Sequence, residues 1–268
     1  VTQEREVDSF SEIRPERVET LVYRENLFFD KPFIDTFIQK ARKLGKACQV
    51  AFPLDDKAIV THALPLQQTI RREGDLYVAD MWYFPHGIEE TVRPLVMHTE
   101  PREMGYYRVP THMSNVLGDL VYQVPTRAFL AIESWVHVLL ANIIFGIFAE
   151  AARLDKAIEE SVGLQLKLFW RALLEQKQVL SSSAVVKIGK NCSIDPSAVI
   201  RGPTIIGDNV DIGPGALVDI CVIGNNVTIS DGCHVMLSVV SDRCFLPFRA
   251  SLFETVLMED TMVAQNTC

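Results

Sequence analysis

Cysteine pairs are missing from this chain: six cysteines fall in 268 residues and no two stand in a CxxC arrangement, so no disulfide framework is written in it. An excess of positive charge is missing too. Lys plus Arg number 26 against 34 Asp plus Glu, a formal charge of −8, which repels a polyphosphate backbone or an anionic bilayer unless a basic face is segregated. Neither nucleic acid nor a membrane is expected as a partner. No secretory leader stands at Val1, and the cytoplasm is the expected compartment. Apolar side chains, in contrast, make up 48 % of the chain. That is enough to fill the core of one large domain or two modest ones, and it excludes disorder throughout.

The C-terminal third is periodic. From Ile188 an aliphatic residue recurs every six positions through Ile194, Ile200, Ile206, Ile212 and Val218. After a one-residue slip the series resumes at Ile223, Ile229 and Val235, slips again to Val240, Leu246 and Leu252, and loosens through Leu257 and Val263. Four residues after the aliphatic stands a small or β-branched one, as at Cys192, Ala198, Thr204, Val210, Ala216, Val227, Cys233, Cys244 and Ala250. Gly, Asp or Ser often follows the aliphatic directly, as at Gly189, Asp195, Gly207, Gly213, Gly224, Ser230 and Ser241. A period of six fits neither the 3.6 of a helix nor the 2 of a simple strand. It fits short strands of a three-sided coil, with aliphatics stacked inside and glycines and polar residues at the turns. The unit resembles the [LIV]-[GAED]-x-x-[STAV]-x hexad of left-handed parallel β-helices, over roughly residues 185–268.

Upstream the pattern is mixed α/β. Residues 32–44 predict a helix, with Phe33, Ile34, Phe37, Ile38 and Ala41 on one side and Gly45 as its stop. Residues 47–52, 58–63 and 76–84 predict strands, and residues 98–109 a looser pair of extended pieces around Gly105. A long apolar helix is expected over 135–154 and an amphipathic one over 162–177. The apolar stretch carries His137, Asn142 and Glu150, each costly in hydrocarbon, which favours a buried core helix over a membrane span. Ser181, Ser182 and Ser183 mark a junction. The domains expected are therefore 1–180, α/β, and 181–268, an all-β left-handed parallel β-helix.

Two segments of the first domain carry a resemblance. The run Leu21-Val22-Tyr23-Arg24-Glu25-Asn26-Leu27-Phe28-Phe29 resembles the L-V-x-G-D-N-x-F-F/Y element of sugar-1-phosphate nucleotidyltransferases, whose Asp holds the catalytic magnesium. Glu133 to Asn142 is similar to the P-W-x-x-L-x-A-N helix that closes their catalytic domain, which many members follow with a left-handed β-helix. The family's glycine-rich phosphate loop has no counterpart before Leu21, and Arg24 and Glu25 stand where the Gly and Asp are expected. Octahedral magnesium tolerates little displacement of its carboxylate, and phosphoryl-type transfer depends on positioning. The resemblance thus implies a shortened, degenerate nucleotidyltransferase-like domain without nucleotidyl transfer, and an active enzyme using Glu25 is the least favoured alternative.

The β-helix implies other chemistry. Hexapeptide acyltransferases hold the pantetheine arm of an acyl-CoA between neighbouring coils and use an outward His as general base. His234 alone falls within the repeat region, just before the inward Val235, and the hexad register points it outward. The candidate catalytic residue is His234, the candidate cofactor acyl-CoA, and the acceptor a small molecule such as a sugar or nucleotide-sugar. One His cannot build the three-His zinc site of a γ-type carbonic anhydrase, and no metal site is expected. His62, His86, His98, His112 and His137 lack ligand spacing. Cys192, Cys233 and Cys244 occupy the small inward position, where a thiol acts as a compact hydrophobe, while Cys48, Cys221 and Cys268 show no partner. The aromatic clusters 81–86 and 104–108 suit core packing, and 245–249 a subunit contact. Packing of β-helices about a threefold axis makes a homotrimer the expected assembly, with a dimer as the alternative. A non-catalytic scaffold or regulatory partner retaining a degenerate sugar-nucleotide-binding domain is the second functional expectation.

Overall fold

The two slips in the hexad series set the size of the repeating coil. Two six-residue steps and one five-residue step bring Ile205, Val222, Val239 and Val256 into register at intervals of seventeen residues. The computed structural model describes residues 5–9, 12, 18–108, 119–153 and 186–267. From Val186 to Leu257 it forms a parallel β-solenoid of three sheets. The first contains Val186–Ile188, Thr204–Ile206, Val222–Ile223, Val239–Val240 and Val256–Leu257. The second contains Ser193–Ile194, Asp211–Ile212, Thr228–Ile229 and Phe245–Leu246. Val199–Arg201, Leu217–Asp219, His234–Met236 and Ser251–Phe253 form the third. Inside, Ile206, Ile212, Val218, Ile223, Ile229, Val235, Val240 and Leu246 are buried, and Ala216, Cys233, Cys244 and Ala250 fill the narrower positions between them. The expected hexad β-helix is present, with its aliphatics and small residues packed inside from Cys192 and Ile194 onward, whereas Ile188, first of the expected inward series, is 51 % exposed.

Each corner has its own device. At one, Gly189, Gly207 and Gly224 lie so close to the next coil that a Cβ on Gly207 would stand 2.6 Å from the carbonyl oxygen of Gly224. Beside them the backbone N–H of Lys190 donates to Asp208 Oδ1 (2.6 Å), that of Asp208 to Asn225 Oδ1 (2.8 Å), and that of Asn225 to Asp242 Oδ1 (2.7 Å). Asn191, Asn209 and Asn226 follow at φ 54°, 57° and 55°, a left-handed conformation asparagine tolerates better than most residues. Their amides stack, Asn191 Nδ2 on Asn209 Oδ1 at 3.2 Å and Asn209 Nδ2 on Asn226 Oδ1 at 3.1 Å. At the five-residue corner the left-handed residues are Ile220, Leu237 and Glu254, at φ 55°, 49° and 48°. Ile220 carries the largest steric cost there because it is β-branched. Coil-to-coil bonds from Leu237 N to Asp219 O (3.0 Å) and from Glu254 N to Met236 O (3.2 Å) hold this corner in place.

The solenoid belongs to a compact unit that also includes residues 101–128 and the helix beginning at Trp135. That helix runs from Trp135 to Arg153, α-helical over Trp135–Leu139 and π-helical over Leu140–Phe148. Its first turn packs on Val256–Leu257, whereas Glu150 pairs with Lys187 at 3.0 Å. Lys187 and Val256–Leu257 belong to the first and the last strand of one sheet. The helix therefore lies along the coil axis over the first sheet, whose outward Ile205, Val222 and Val256 are half-buried and Val239 buried. Among the described residues it alone is long and apolar enough to cross a membrane, with a mean hydropathy of 1.7. The stretch 98–109, expected as two extended pieces, is one strand, Pro101–Arg108, paired antiparallel with Asp119–Pro125 and irregular between Gly105 and Tyr107. Tyr122, on the partner strand, donates to Glu254 Oε1 at 2.6 Å.

The other compact unit comprises residues 1–100 with 129–133. Its strands are β1 (Thr20–Tyr23), β2 (Leu27–Phe29), β3 (Cys48–Pro53), β4 (Arg71–Glu73), β5 (Leu76–Phe84) and β6 (Arg93–Val96). They form a sheet of order β1-β5-β3-β6, with β4 beside β5. Only β3 and β6 pair in parallel, and β2 pairs separately with Phe129–Ala131. Helix α1 (Lys31–Leu44) starts where Asp30 accepts from Phe33 N at 2.9 Å, and it stops at Gly45, φ 62°, as its sequence predicts. Its buried Phe33 packs with Phe52 and Phe129, ring centroids 4.8 to 6.0 Å apart. The strand expected over 58–63 is instead a π-helical turn, Ile59–Ala63. Buried Asp56 decides this: its Oδ1 accepts from Ile59 N (3.3 Å) and Thr99 Oγ1 (2.6 Å), and its backbone oxygen from Val60 N (2.9 Å). The helix expected over 162–177 and the serine junction lie outside the described residues.

Replacing Gly207 with Ala forces a methyl group against backbone that has no other place to go. The expected loss is about 2–3 kcal/mol in urea unfolding, and an unchanged midpoint would contradict the close coil approach.

Candidate functional site

His234 is set by strand register. Val235 turns inward and is fully buried, so His234 must project from the opposite side of the third sheet, where it is exposed. Its strand neighbours are Leu217 on one coil and Ser251 on the next. The adjacent outward column carries Asp219, Met236 and Phe253, and Phe253 is 58 % exposed. An outward imidazole between two coils can take a proton from a hydroxyl brought to this face.

A second site is built in the other unit, and its organising charge was not singled out from the sequence. Asp80 lies in the middle of the apolar β5 and is 2 % exposed. A buried carboxylate has to find cations or donors, and it finds two guanidiniums: Arg24 Nε at 2.6 Å from Oδ2 and Arg71 Nη2 at 3.0 Å from Oδ1. Arg24 is placed by the tight connection between β1 and β2, where its backbone N–H also bonds Asp80 O at 3.2 Å. Arg71 opens β4, which pairs with β5. Glu133 closes the floor: Oε2 accepts from Gln68 N (2.9 Å), and Oε1 from Thr69 N (2.9 Å) and Thr69 Oγ1 (2.5 Å). Asn26 Nδ2 donates to the same Thr69 hydroxyl at 3.2 Å. Together Arg24, Asn26, Gln68, Thr69, Arg71 and Glu133 line a cleft of about 300 Å³. The signal available in the sequence was a single carboxylate inside a nine-residue apolar strand. Glu25 is exposed beside this cleft.

The other candidates fall apart spatially. Among the described residues no group of three or more His, Cys, Asp or Glu could hold a metal ion. His62 and His137 are buried, His86 and His98 exposed, and His112 lies outside the described residues. Burial pushes the imidazole of His62 down to about 4. His137 serves the start of its helix, accepting from Ser134 N at 3.2 Å. Cys233 and Cys244 are buried inside the coils and Cys192 is half-buried in the first; Cys221, which the hexad pattern did not place, is buried as well. Burial pushes the thiols of Cys233 and Cys244 up, Cys48 to about 11 and Cys221 to about 12, far from the thiolate a nucleophile needs. In the aromatic segment of β5, Met81, Tyr83 and Phe84 are core residues, while Phe245 and Phe248 are 39 % and 52 % exposed on the solenoid.

A family model described as bacterial transferase hexapeptide (six repeats) matches residues 186–219, the first two coils. No curated protein matches the chain. Together with the parallel coils, the match makes residues 186–257 a hexapeptide-repeat β-solenoid, of the kind that gives this transferase family its name.

Thiol chemistry offers a direct check on this packing. Iodoacetamide at neutral pH, followed by peptide mapping, is expected to modify Cys192 well before Cys48, Cys221, Cys233 or Cys244, which react only after denaturation. Rapid labelling of Cys233 in the native protein would show that the coil interior is not closed.

Proposed function

We infer that the solenoid is an acyltransferase module that uses an acyl-CoA and a sugar or nucleotide-sugar acceptor, with His234 as general base. The observation that carries this reading is the place of His234: exposed, at the junction of neighbouring coils, on the third sheet, with apolar Leu217, Met236 and Phe253 around it. Imidazole has one ring nitrogen to accept a proton and can hand it on again, the two roles a general base needs. In the reaction it takes the proton of the acceptor hydroxyl while the oxygen attacks the thioester carbonyl. The C–O bond forms, the C–S bond breaks, and the imidazolium returns its proton to the departing CoA thiolate. Left-handed winding and a cyclic homotrimer, with its third sheets meeting neighbouring copies, complete the picture.

A second reading keeps the protein as a non-catalytic scaffold whose N-terminal domain is a degenerate nucleotidyltransferase-like fold. The β1–turn–β2–α1 order supports it, as does the use of Arg24 to pair with Asp80, which fixes a positive charge one residue from Glu25.

Thermal-shift and thiol-release assays separate the readings. CoA is expected to stabilise the wild type and His234→Ala alike, while acyl transfer from acetyl-CoA falls by ~10²–10⁴-fold in the variant. No stabilisation by CoA or acetyl-CoA would leave the scaffold reading, and stabilisation by magnesium with a nucleoside triphosphate would restore nucleotidyl chemistry at Glu25. Assembly is checked separately: light scattering should give three times the 30.1 kDa of one chain.

A further inference from the structure

Parallel register sets two chemically complementary side chains beside each other on the outer face of the third sheet. His234 and Ser251 are paired residues of adjacent strands. The residues that follow them, Val235 and Leu252, are buried in the core, so both side chains project outward, and both are exposed. Neighbouring strands lie about 4.8 Å apart, and residues in direct register hold their Cβ atoms at nearly that separation. An imidazole ring spans most of this gap. A turn of either side chain brings a ring nitrogen within ~3 Å of the serine hydroxyl, the reach that a nucleophile and its base require.

The pairing is particular to this position. The other outward hydroxyls on the described strands of the solenoid, Ser193 and Thr228, stand in register with Asp211, and a carboxylate is a much weaker base than imidazole. Around His234 and Ser251 the sheet is apolar. Leu217 precedes His234 in its own column, and Met236 and Phe253 form the column alongside. At the corner leading into these strands a Cβ on Gly232 would stand 3.5 Å from Arg249 Cγ. The exposed side chain of Arg249 therefore lies back across the coil of His234 and adds a cation at one end of the pair.

We propose that Ser251 is the nucleophile of the solenoid site and carries the acyl group as a serine ester, with His234 as its base; this rests on the acyl-transfer reading of that face. His234 takes the proton of Ser251 Oγ while that oxygen attacks the thioester carbonyl. The C–O bond forms, the C–S bond breaks, and the imidazolium gives its proton to the departing thiolate. His234 next takes the proton of the acceptor hydroxyl, whose oxygen attacks the ester carbonyl. The bond from the acyl carbon to Ser251 Oγ breaks, and the serine oxygen regains the proton. Arg249 offers its charge to the oxyanion that forms in each step. Transfer then takes two steps in place of direct attack on the thioester, and the free thiol leaves before the acceptor reacts.

Rapid-quench measurement on the full chain with acetyl-CoA and no acceptor tests this. A burst of one thiol per chain is expected, and the intact mass should rise by one acetyl group, which peptide mapping places on Ser251. Ser251→Ala should lose burst and label together while keeping the thermal midpoint and the stabilisation by CoA, because the side chain is outward and exposed. His234→Ala should slow labelling ~10²–10⁴-fold. p-Nitrophenyl acetate, an activated ester that needs no CoA site, is run in parallel. Label on Ser251 from this ester without any response to CoA would uphold the serine nucleophile and reject acyl-CoA as its donor. Acyl transfer at the wild-type rate in Ser251→Ala would overturn the serine ester and leave direct transfer by His234. Absence of label on Ser251 from both reagents would overturn it as well.

Discussion

Coil-to-coil register is the constraint on which the solenoid depends. Its strands are only two or three residues long, and no single pair of them contributes much on its own. The stack stays in step because every coil repeats the same inward set and the same corners. A one-residue error would turn Ile223 or Ile229 outward and leave the prism without a core. The glycines at 189, 207 and 224 and the side-chain ladder of Asp208, Asn225 and Asp242 act at that point. They admit one spacing between coils and satisfy the backbone N–H groups that the turn would otherwise leave bare. Outward geometry then follows. His234 faces solvent because Val235 faces the core, and the proposed general base is a consequence of packing before it is a matter of chemistry.

The N-terminal unit is organised around the opposite kind of residue. Asp56 and Asp80 are both buried carboxylates, and each dictates the structure around it. Asp56 gathers backbone and hydroxyl donors and winds residues 59–63 into a π-helical turn against their β-branched composition. Asp80 gathers two arginines from different elements and so creates a cleft in a sheet that is otherwise closed. Neutral donors settle the first; cations settle the second and leave unused hydrogen-bonding capacity at the surface.

The repeat was legible because its information is local and redundant. Ile206, Ile212 and Val218 announce the inward column by spacing alone, and the later slips give the seventeen-residue coil. Helix α1 was legible for a related reason, since Pro32 and Gly45 carry its boundaries. The cleft was not. Arg24, Arg71 and Glu133 lie far apart in sequence, and only the pairing of β4 with β5 and the turn after β1 bring them to Asp80. The strand expected over 58–63 failed for the same reason: its conformation is set by a contact between Asp56 and Thr99, which no window of adjacent residues contains. Nor did the hexad pattern show that the apolar helix would lie along one side of the coils.

That helix changes how the solenoid can come apart. Linear arrays usually fray from their ends, because each repeat touches only its neighbours. Here one rod is fastened to the strand Val256–Leu257 through its first turn and to the first coil through Glu150 and Lys187. Peeling the coils at either of these two strands apart means stripping the rod from that place too. The helix acts as a splint, joining what would otherwise be a string of loosely coupled rungs into a body that opens as a whole.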